Sequence, residues 1–282
     1  GSKNTLADGT LQVNVAAFHY DYKGYQVSKI INRTSINENI DAKVMGAEFE
    51  SIWQPLDGLR LNAAIGWLDS KIGKASSIDT FNRTQSIAGL TLVKSSAASN
   101  CVVSTAAAAA ALGIANATNP FNLLGVCTLA SAAGAGTNIN GTGAIAAGTN
   151  AFGGLVSEGV EANVKGNELP NAPHWTVSLG AQYTWNLGDW DATLRGDYYH
   201  QTKTFARIYN SAADGIKAWS NVNLTLSVEN KDLGVEVAGF VKNATKEKAI
   251  TDFYLTDDSS GLFRNVFYTE PRTYGVSVTK RW

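Results

Sequence analysis

Glu48 and Glu50 stand two residues apart in an alternating stretch, so both carboxylates fall on one face, as a paired acid and base would. Arg60, in the next alternating stretch, offers them a plainer role as an ion-pair partner. The remaining groups with reactive potential are scattered. His19, His174 and His200 sit on or beside different segments, with no second ligand at metal-binding spacing. Asp257-Asp258-Ser259-Ser260-Gly261 begins like a calcium loop but lacks the later alternating oxygens and the closing Glu. No nucleophile elbow, zinc-protease motif or phosphate-cradling loop occurs. The chain therefore reads as a non-enzyme, with no catalytic residues, no metal site and no cofactor.

Stepping period-2 runs place these side chains, and about eight such runs are predicted as strands. They are Thr10–Ile31, Lys43–Trp53, Leu59–Lys71, Trp175–Leu187, Trp190–Arg207, Ala218–Glu229, Leu233–Asn243 and Thr273–Trp282. In the fourth, Trp175, Val177, Leu179, Ala181, Tyr183, Trp185 and Leu187 point one way. Thr176, Ser178, Gly180, Gln182, Thr184 and Asn186 point the other. At about 3.3 Å per residue and a tilt of roughly 40°, Trp175 and Trp185 are about 25 Å apart along the normal, the height of a lipid-facing band between aromatic girdles. The last run behaves alike: Tyr274, Val276, Val278 and Trp282 oppose Thr273, Gly275, Ser277, Thr279 and Arg281. Apolar residues toward lipid and small polar ones toward a lumen make an antiparallel transmembrane β-barrel wall. On that reading Glu48, Glu50, Arg60, Arg195 and Asp197 face the lumen.

Composition agrees. The 282 residues are 44% hydrophobic, yet no run of ~18 apolar residues could form a membrane-crossing helix. A net charge of −1 gives no reason to expect a nucleic-acid partner. The 7 Trp and 10 Tyr supply girdles, and only 5 Pro leave the ladders uninterrupted.

Connections are of two kinds. Pro55–Gly58, Asn186–Asp189 and Asn230–Asp232 are tight turns rich in Gly, Asp and Asn. Asn32–Ala42, Ile72–His174, Ile208–Lys217 and Ala244–Arg272 are long, as extracellular loops of a barrel are. Arg207, Tyr209, Tyr254, Phe263 and Arg264 crown the expected extracellular mouth, where they would contact substrate or pack loop against loop. The segment 73–173 is expected to be one long low-complexity extracellular loop; from Ser95 to Ser157 it carries only Glu-free, Asp-free, Lys-free and Arg-free sequence. Its cysteines, Cys101 and Cys127, are either separate thiols or, as expected for an exported protein, a disulfide closing a mid-sized loop.

Four segments carry a resemblance: Ala17-Phe18-His19-Tyr20-Asp21-Tyr22-Lys23-Gly24-Tyr25-Gln26, the stretch Asn37–Glu50, Glu168-Leu169-Pro170-Asn171-Ala172-Pro173-His174-Trp175, and Glu270-Pro271-Arg272-Thr273-Tyr274-Gly275-Val276. In this order they resemble the carboxy-terminal part of a TonB-dependent receptor, over nearly all the chain except residues near 73–165. The resemblance implies about eight carboxy-terminal strands of a larger, 22-stranded barrel. It implies as partners an amino-terminal plug and the earlier strands, the TonB complex acting through that plug, and outer-membrane lipid and lipopolysaccharide. The lumen charges Glu48, Glu50, Arg60, Arg195 and Asp197 would then hold or release the plug. Its function would be uptake of a scarce nutrient (siderophore-iron, cobalamin or carbohydrate). The alternative is a self-contained eight-stranded barrel serving as adhesin or anchor.

Overall fold

The computed structural model describes residues 1–31, 34–94, 100–109, 156–257 and 260–282. The chain opens with β1 (Ser2–Leu6), β2 (Leu11–Ile31), β3 (Thr34–Leu56) and β4 (Leu59–Ile72). The inserted segment adds β5 (Ser76–Ile78), β6 (Leu90–Val93), β7 (Cys101–Ser104), β8 (Val156–Ser157) and β9 (Glu161–Asn163). Then come β10 (Trp175–Leu187), β11 (Trp190–Gln201), β12 (Thr204–Phe205), β13 (Gly215–Ile216), β14 (Trp219–Asn230) and β15 (Val235–Lys242). The hairpin β16 (Ile250–Leu255) and β17 (Arg264–Tyr268) precedes β18 (Thr273–Lys280).

Nine of these strands form one open antiparallel sheet in the order β1-β2-β3-β4-β10-β11-β14-β15-β18. Neighbours in this order are joined by the tight turns or by long excursions. The paired registers put every expected lumen residue on one face: Glu50 opposite Ala64, Ser178 opposite Tyr199, Arg195 opposite Thr225, Ala238 opposite Ser277. The other face is apolar and uncovered, with Leu179, Leu194, Leu226 and Val276 all exposed. Hydrocarbon, which asks nothing of a backbone already paired within the sheet, is the solvent that tolerates such a face. Trp175 sits directly opposite Trp67 at one rim of it, and Trp190 opposite Leu187 beside Trp185 at the other.

Several elements differ from the sequence expectation. β1 is a ninth strand, and Asn32–Ala42 is mostly strand rather than loop, because Thr34–Ala42 pairs with Tyr22–Ile31. Its Asn and Asp side chains point outward, while Ile36, Ile40 and Ala42 take the inner positions. The two strands of this hairpin are 21 and 23 residues long, about twice a membrane crossing. β11 stops at Gln201 and β18 at Lys280, short of the expected Arg207 and Trp282.

The dry core lies at the loop end of the sheet. Ile40, Ala42, Val44 and Ile72 on the inner face are covered by Val164, Leu169 and Ile208 from the connections. The inserted segment forms the small sheets β5-β9 and β6-β7-β8, with Val102 and Val103 buried. Cys101 is buried there too; its expected partner Cys127 lies outside the described residues.

Candidate functional site

Two regions gather the charged and aromatic side chains: the lumen wall and the mouth above it. On the wall, Arg195 and Asp197 share one face of β11 two residues apart, and Arg195 Nε donates to Asp197 Oδ2 at 2.9 Å. Arg195 Nη2 also reaches Asn62 Oδ1 at 3.4 Å, crossing β10 at Gly180, where a side chain would collide with the amide. Glu50 accepts only a long bond from Asn14, 3.4 Å. The ion pair of Glu48 or Glu50 with Arg60 does not form. Cross-strand register explains this: Glu50 faces Ala64 and Arg60 faces Gln182, two pairs nearer the turns. Near the turn rim, Glu229 and Glu236 oppose each other across β14 and β15, and Arg281 bridges them, 3.2 Å from Glu236. That triad was missed in the sequence, since Arg281 lies 45 and 52 residues beyond its two partners and no local spacing links them.

At the mouth, a cleft of about 520 Å³ opens between the projecting β2–β3 hairpin, the connection after β11, and β16. Tyr25, Lys29, Arg207, Tyr209, Phe253 and Tyr254 supply its aromatic and cationic lining. Of the expected mouth residues, Arg207, Tyr209 and Tyr254 therefore converge, while Phe263 and Arg264 lie outside the cleft. Arg264 instead donates to the Ala213 carbonyl at 2.6 Å and lies 5.3 Å from the Phe253 ring. Phe263 is exposed.

Behind the lining runs a buried polar network. Arg207 donates through Nη1 to Asp79 at 2.7 Å and through Nε to Asp214 at 2.6 Å, with its guanidinium 4.6 Å from the Phe81 ring. Ser211 donates to Asp214 from both backbone and hydroxyl, capping a short 3-10 turn. Tyr209 donates to the Ile78 carbonyl at 2.6 Å and lies 2.8 Å from Ser77 Oγ. Ser77 in turn donates to Glu38, which pairs with Lys29. Burial pushes the Tyr209 hydroxyl well above the usual phenol range, so it stays protonated and can keep donating. One connection, one inserted segment and one hairpin are thus tied into a single mouth. Composition gave no sign of Ser77, Asp79 or Asp214, whose roles arise only from contacts far apart in sequence.

The three histidines stay apart. His19 lies 3.4 Å from Asp21, His174 lies 3.1 Å from Glu168, and His200 lies 2.9 Å from Ser220.

The sequence profile of the family described as "TonB dependent receptor-like, beta-barrel" matches residues 1–244. No curated protein matches the chain. Among solved structures, the siderophore receptor PiuA from Acinetobacter baumannii is similar over 98% of this chain and 26% of its own, with 14% identity and a TM-score of 0.55. BauA, the ferric preacinetobactin receptor from the same organism, gives 13% identity over 97% and 27%, with a TM-score of 0.51. The ferric-catecholate import receptor Fiu from E. coli K12 gives 10% over 98% and 26%, with a TM-score of 0.51. At these identities the likeness shows the fold, and the chain spans about a quarter of each receptor's length. Lipid-facing alternation, girdles, register and family profile agree: the chain is a member of the TonB-dependent receptor-like β-barrel family, residing in the bacterial outer membrane.

Proposed function

We propose that this chain forms part of the wall and mouth of a receptor for active uptake of a scarce nutrient, of the siderophore-iron, cobalamin or carbohydrate kind. The observation that carries this reading is the aromatic-lined cleft at the loop end, standing above a lumen wall of small polar residues. Arg207, Tyr209 and Tyr254 are the ligand-contacting candidates within it, with Phe263 and Arg264 on the outer rim.

Uptake is driven by the TonB complex through a plug. Glu48, Glu50 and Arg60 form no ion pairs among the described residues and so face the lumen with free charges for a plug to meet. Arg195 and Asp197 are self-paired and contribute a neutral patch beside them. The edges β1 and β18 expose unpaired backbone, which hydrocarbon does not tolerate. Further strands of the same receptor close them, which weighs against the self-contained barrel. Segment 73–173 is an extracellular insertion, and a Cys101–Cys127 disulfide pins it. Lipid and lipopolysaccharide cover the outer face.

The test is accumulation of radiolabelled ferric chelates, cobalamin and oligosaccharides by cells carrying the complete receptor, with and without TonB. Accumulation of one of them that disappears without TonB, while surface binding persists, is the expected result. Uptake indifferent to TonB contradicts the reading.

A further inference from the structure

The lipid-facing side of the wall is not smooth. Leu179 pairs with Ala63 on one side and Tyr198 on the other, and Ala181 pairs with Leu61 and Gly196. Ala63, Ala181 and Gly196 therefore lie together on the outer face. Their short side chains leave a groove of about 620 Å³, walled by Leu61, Leu179 and Tyr198. β10, β11 and β14 each have a neighbour on both sides, so the groove lies inside the sheet and owes nothing to its open edges.

Two features at the upper end of the groove are out of place against hydrocarbon. His200 pairs with Val177 and Ser220, two residues inside the rim marked by Trp175, and all three face lipid. Ser220 Oγ lies 2.9 Å from His200 Nδ1 and 3.2 Å from the hydroxyl of Tyr198, the residue that also walls the groove. His200 Nε2 has no partner among the described residues. Polar side chains at membrane depth are costly and mark functional sites. Just beyond the rim, Thr204 and Ile216 pair with both side chains buried, while Lys203 and Lys217, next to them in the chain, are exposed. Neither lysine enters an ion pair among the described residues, unlike Lys43 and Lys71, which pair with Asp21 and Asp69. Cations, a polar trio and an apolar groove thus succeed one another down the same strands. From Lys203 to Gly196 is about 23 Å along the strand, or about 18 Å along the normal at a tilt of roughly 40°, close to the depth of one leaflet.

We propose that this column is a fixed seat for one molecule of lipid A, the phosphorylated and acylated glucosamine disaccharide that anchors lipopolysaccharide. Lys203 and Lys217 take a phosphate. His200, Ser220 and Tyr198 hydrogen-bond the hydroxyl and amide groups at the roots of its acyl chains. The groove below holds one chain by close packing. The loop end faces the lipopolysaccharide leaflet, and a glycerophospholipid would bring the phosphate but no hydroxyl or amide at the depth of the trio. General coverage of the wall by lipid requires none of these three features.

The experiment titrates the complete receptor, delipidated in detergent, with bis-phosphorylated lipid A or with phosphatidylglycerol, and reads bound lipid by native mass spectrometry. Heat-modifiability first confirms that each variant has assembled. The expected result is one lipid A held by the wild type, with phosphatidylglycerol bound about tenfold more weakly for want of the hydrogen bonds to the trio. Lys203→Ala/Lys217→Ala should weaken lipid A about thirtyfold, about fivefold for each lysine. Gly196→Leu fills the groove with the lysines intact; its Cβ would lie 3.4 Å from Leu224, an ordinary contact. That variant should weaken lipid A by about threefold, since only packing is lost in an apolar medium. Lys43→Ala/Lys71→Ala, on the same outer face, should change it by less than about twofold, because those lysines are already paired. Lipid A affinity unchanged in the Lys203/Lys217 pair overturns the seat. So does an equal loss in the Lys43/Lys71 pair, since binding would then follow diffuse surface charge. Phosphatidylglycerol bound as tightly as lipid A overturns the choice of occupant, and an unaffected Gly196→Leu overturns the role of the groove.

Discussion

The membrane part and the projecting part of the same sheet obey opposite rules. Between the tryptophan rims, Leu61, Leu179, Leu226 and Val276 face outward while Asn62, Gln182, Thr225 and Ser277 face inward. Above Trp67, β2, β3 and β4 run on past the rim while β10 begins there at Trp175, and the polarity reverses. Asp21, Lys43, Asp69 and Lys71 now face outward, while Ile40, Ala42, Val44 and Ile72 are buried inward. The backbone is the same and the alternation is the same; only the solvent on each side has changed. Hydrocarbon rewards apolar surface outside, and water rewards it inside.

Breaking the two regions should therefore require different substitutions. The largest effect is expected in the mouth. Arg207→Met leaves Asp79 and Asp214 buried without their cation, which costs about 3–5 kcal/mol. Hydrogen exchange should accelerate in residues 76–80 and 204–216 while β10 and β14 stay protected; uniform loss of protection would mean the regions are not independent. Next comes the lipid face: Leu226→Arg should lower the unfolding free energy in vesicles by about 2–4 kcal/mol. Lys43→Leu, on the outer face above the rim, should shift it by well under half of that. Ile40→Ala in the inner core of the extension should cost about 2 kcal/mol or slightly more, as truncations of buried aliphatic side chains do. The same substitution type at Leu179, which touches lipid rather than protein, should leave no cavity and cost less.

The smallest effect concerns pH at Gly24, where the β2–β3 pairing slips between Tyr22 and Tyr25. The Gly24 amide, then Lys23, hold the exposed Asp41 carboxyl below its ordinary value of 3.8. A lowered folded value means the contribution is present above the ordinary value and fades as pH falls through the folded one. Exchange at Gly24 should quicken only below about pH 4, and Asp41→Asn should remove that acid step.

Legibility in the sequence followed the same division. Trp175–Leu187 was readable because one face meets lipid and the other the lumen, so composition alternates with the backbone. Thr34–Ala42 read as loop because its outward Asn37, Asn39 and Asp41 look like turn residues, and nothing local reveals that loops cover Ile40. Arg207 and Tyr209 were placed at the mouth from their loop position. That they are also tied to Asp79 and Ser77 depends on an insertion more than a hundred residues earlier, which no local spacing encodes. Glu48, Glu50 and Arg60 share one face of the sheet, yet their mutual pairing failed on register alone.

Spin labels at single introduced cysteines, in the receptor reconstituted in lipid, probe the reversal itself through collisions with oxygen and with a water-soluble nickel chelate. Labels at positions 179, 224 and 226 should meet oxygen and exclude nickel, and labels at 21, 43 and 71 should do the opposite. Nickel accessibility at 179 and 226 equal to that at 43 and 71 would contradict a lipid-facing wall carrying a water-facing extension.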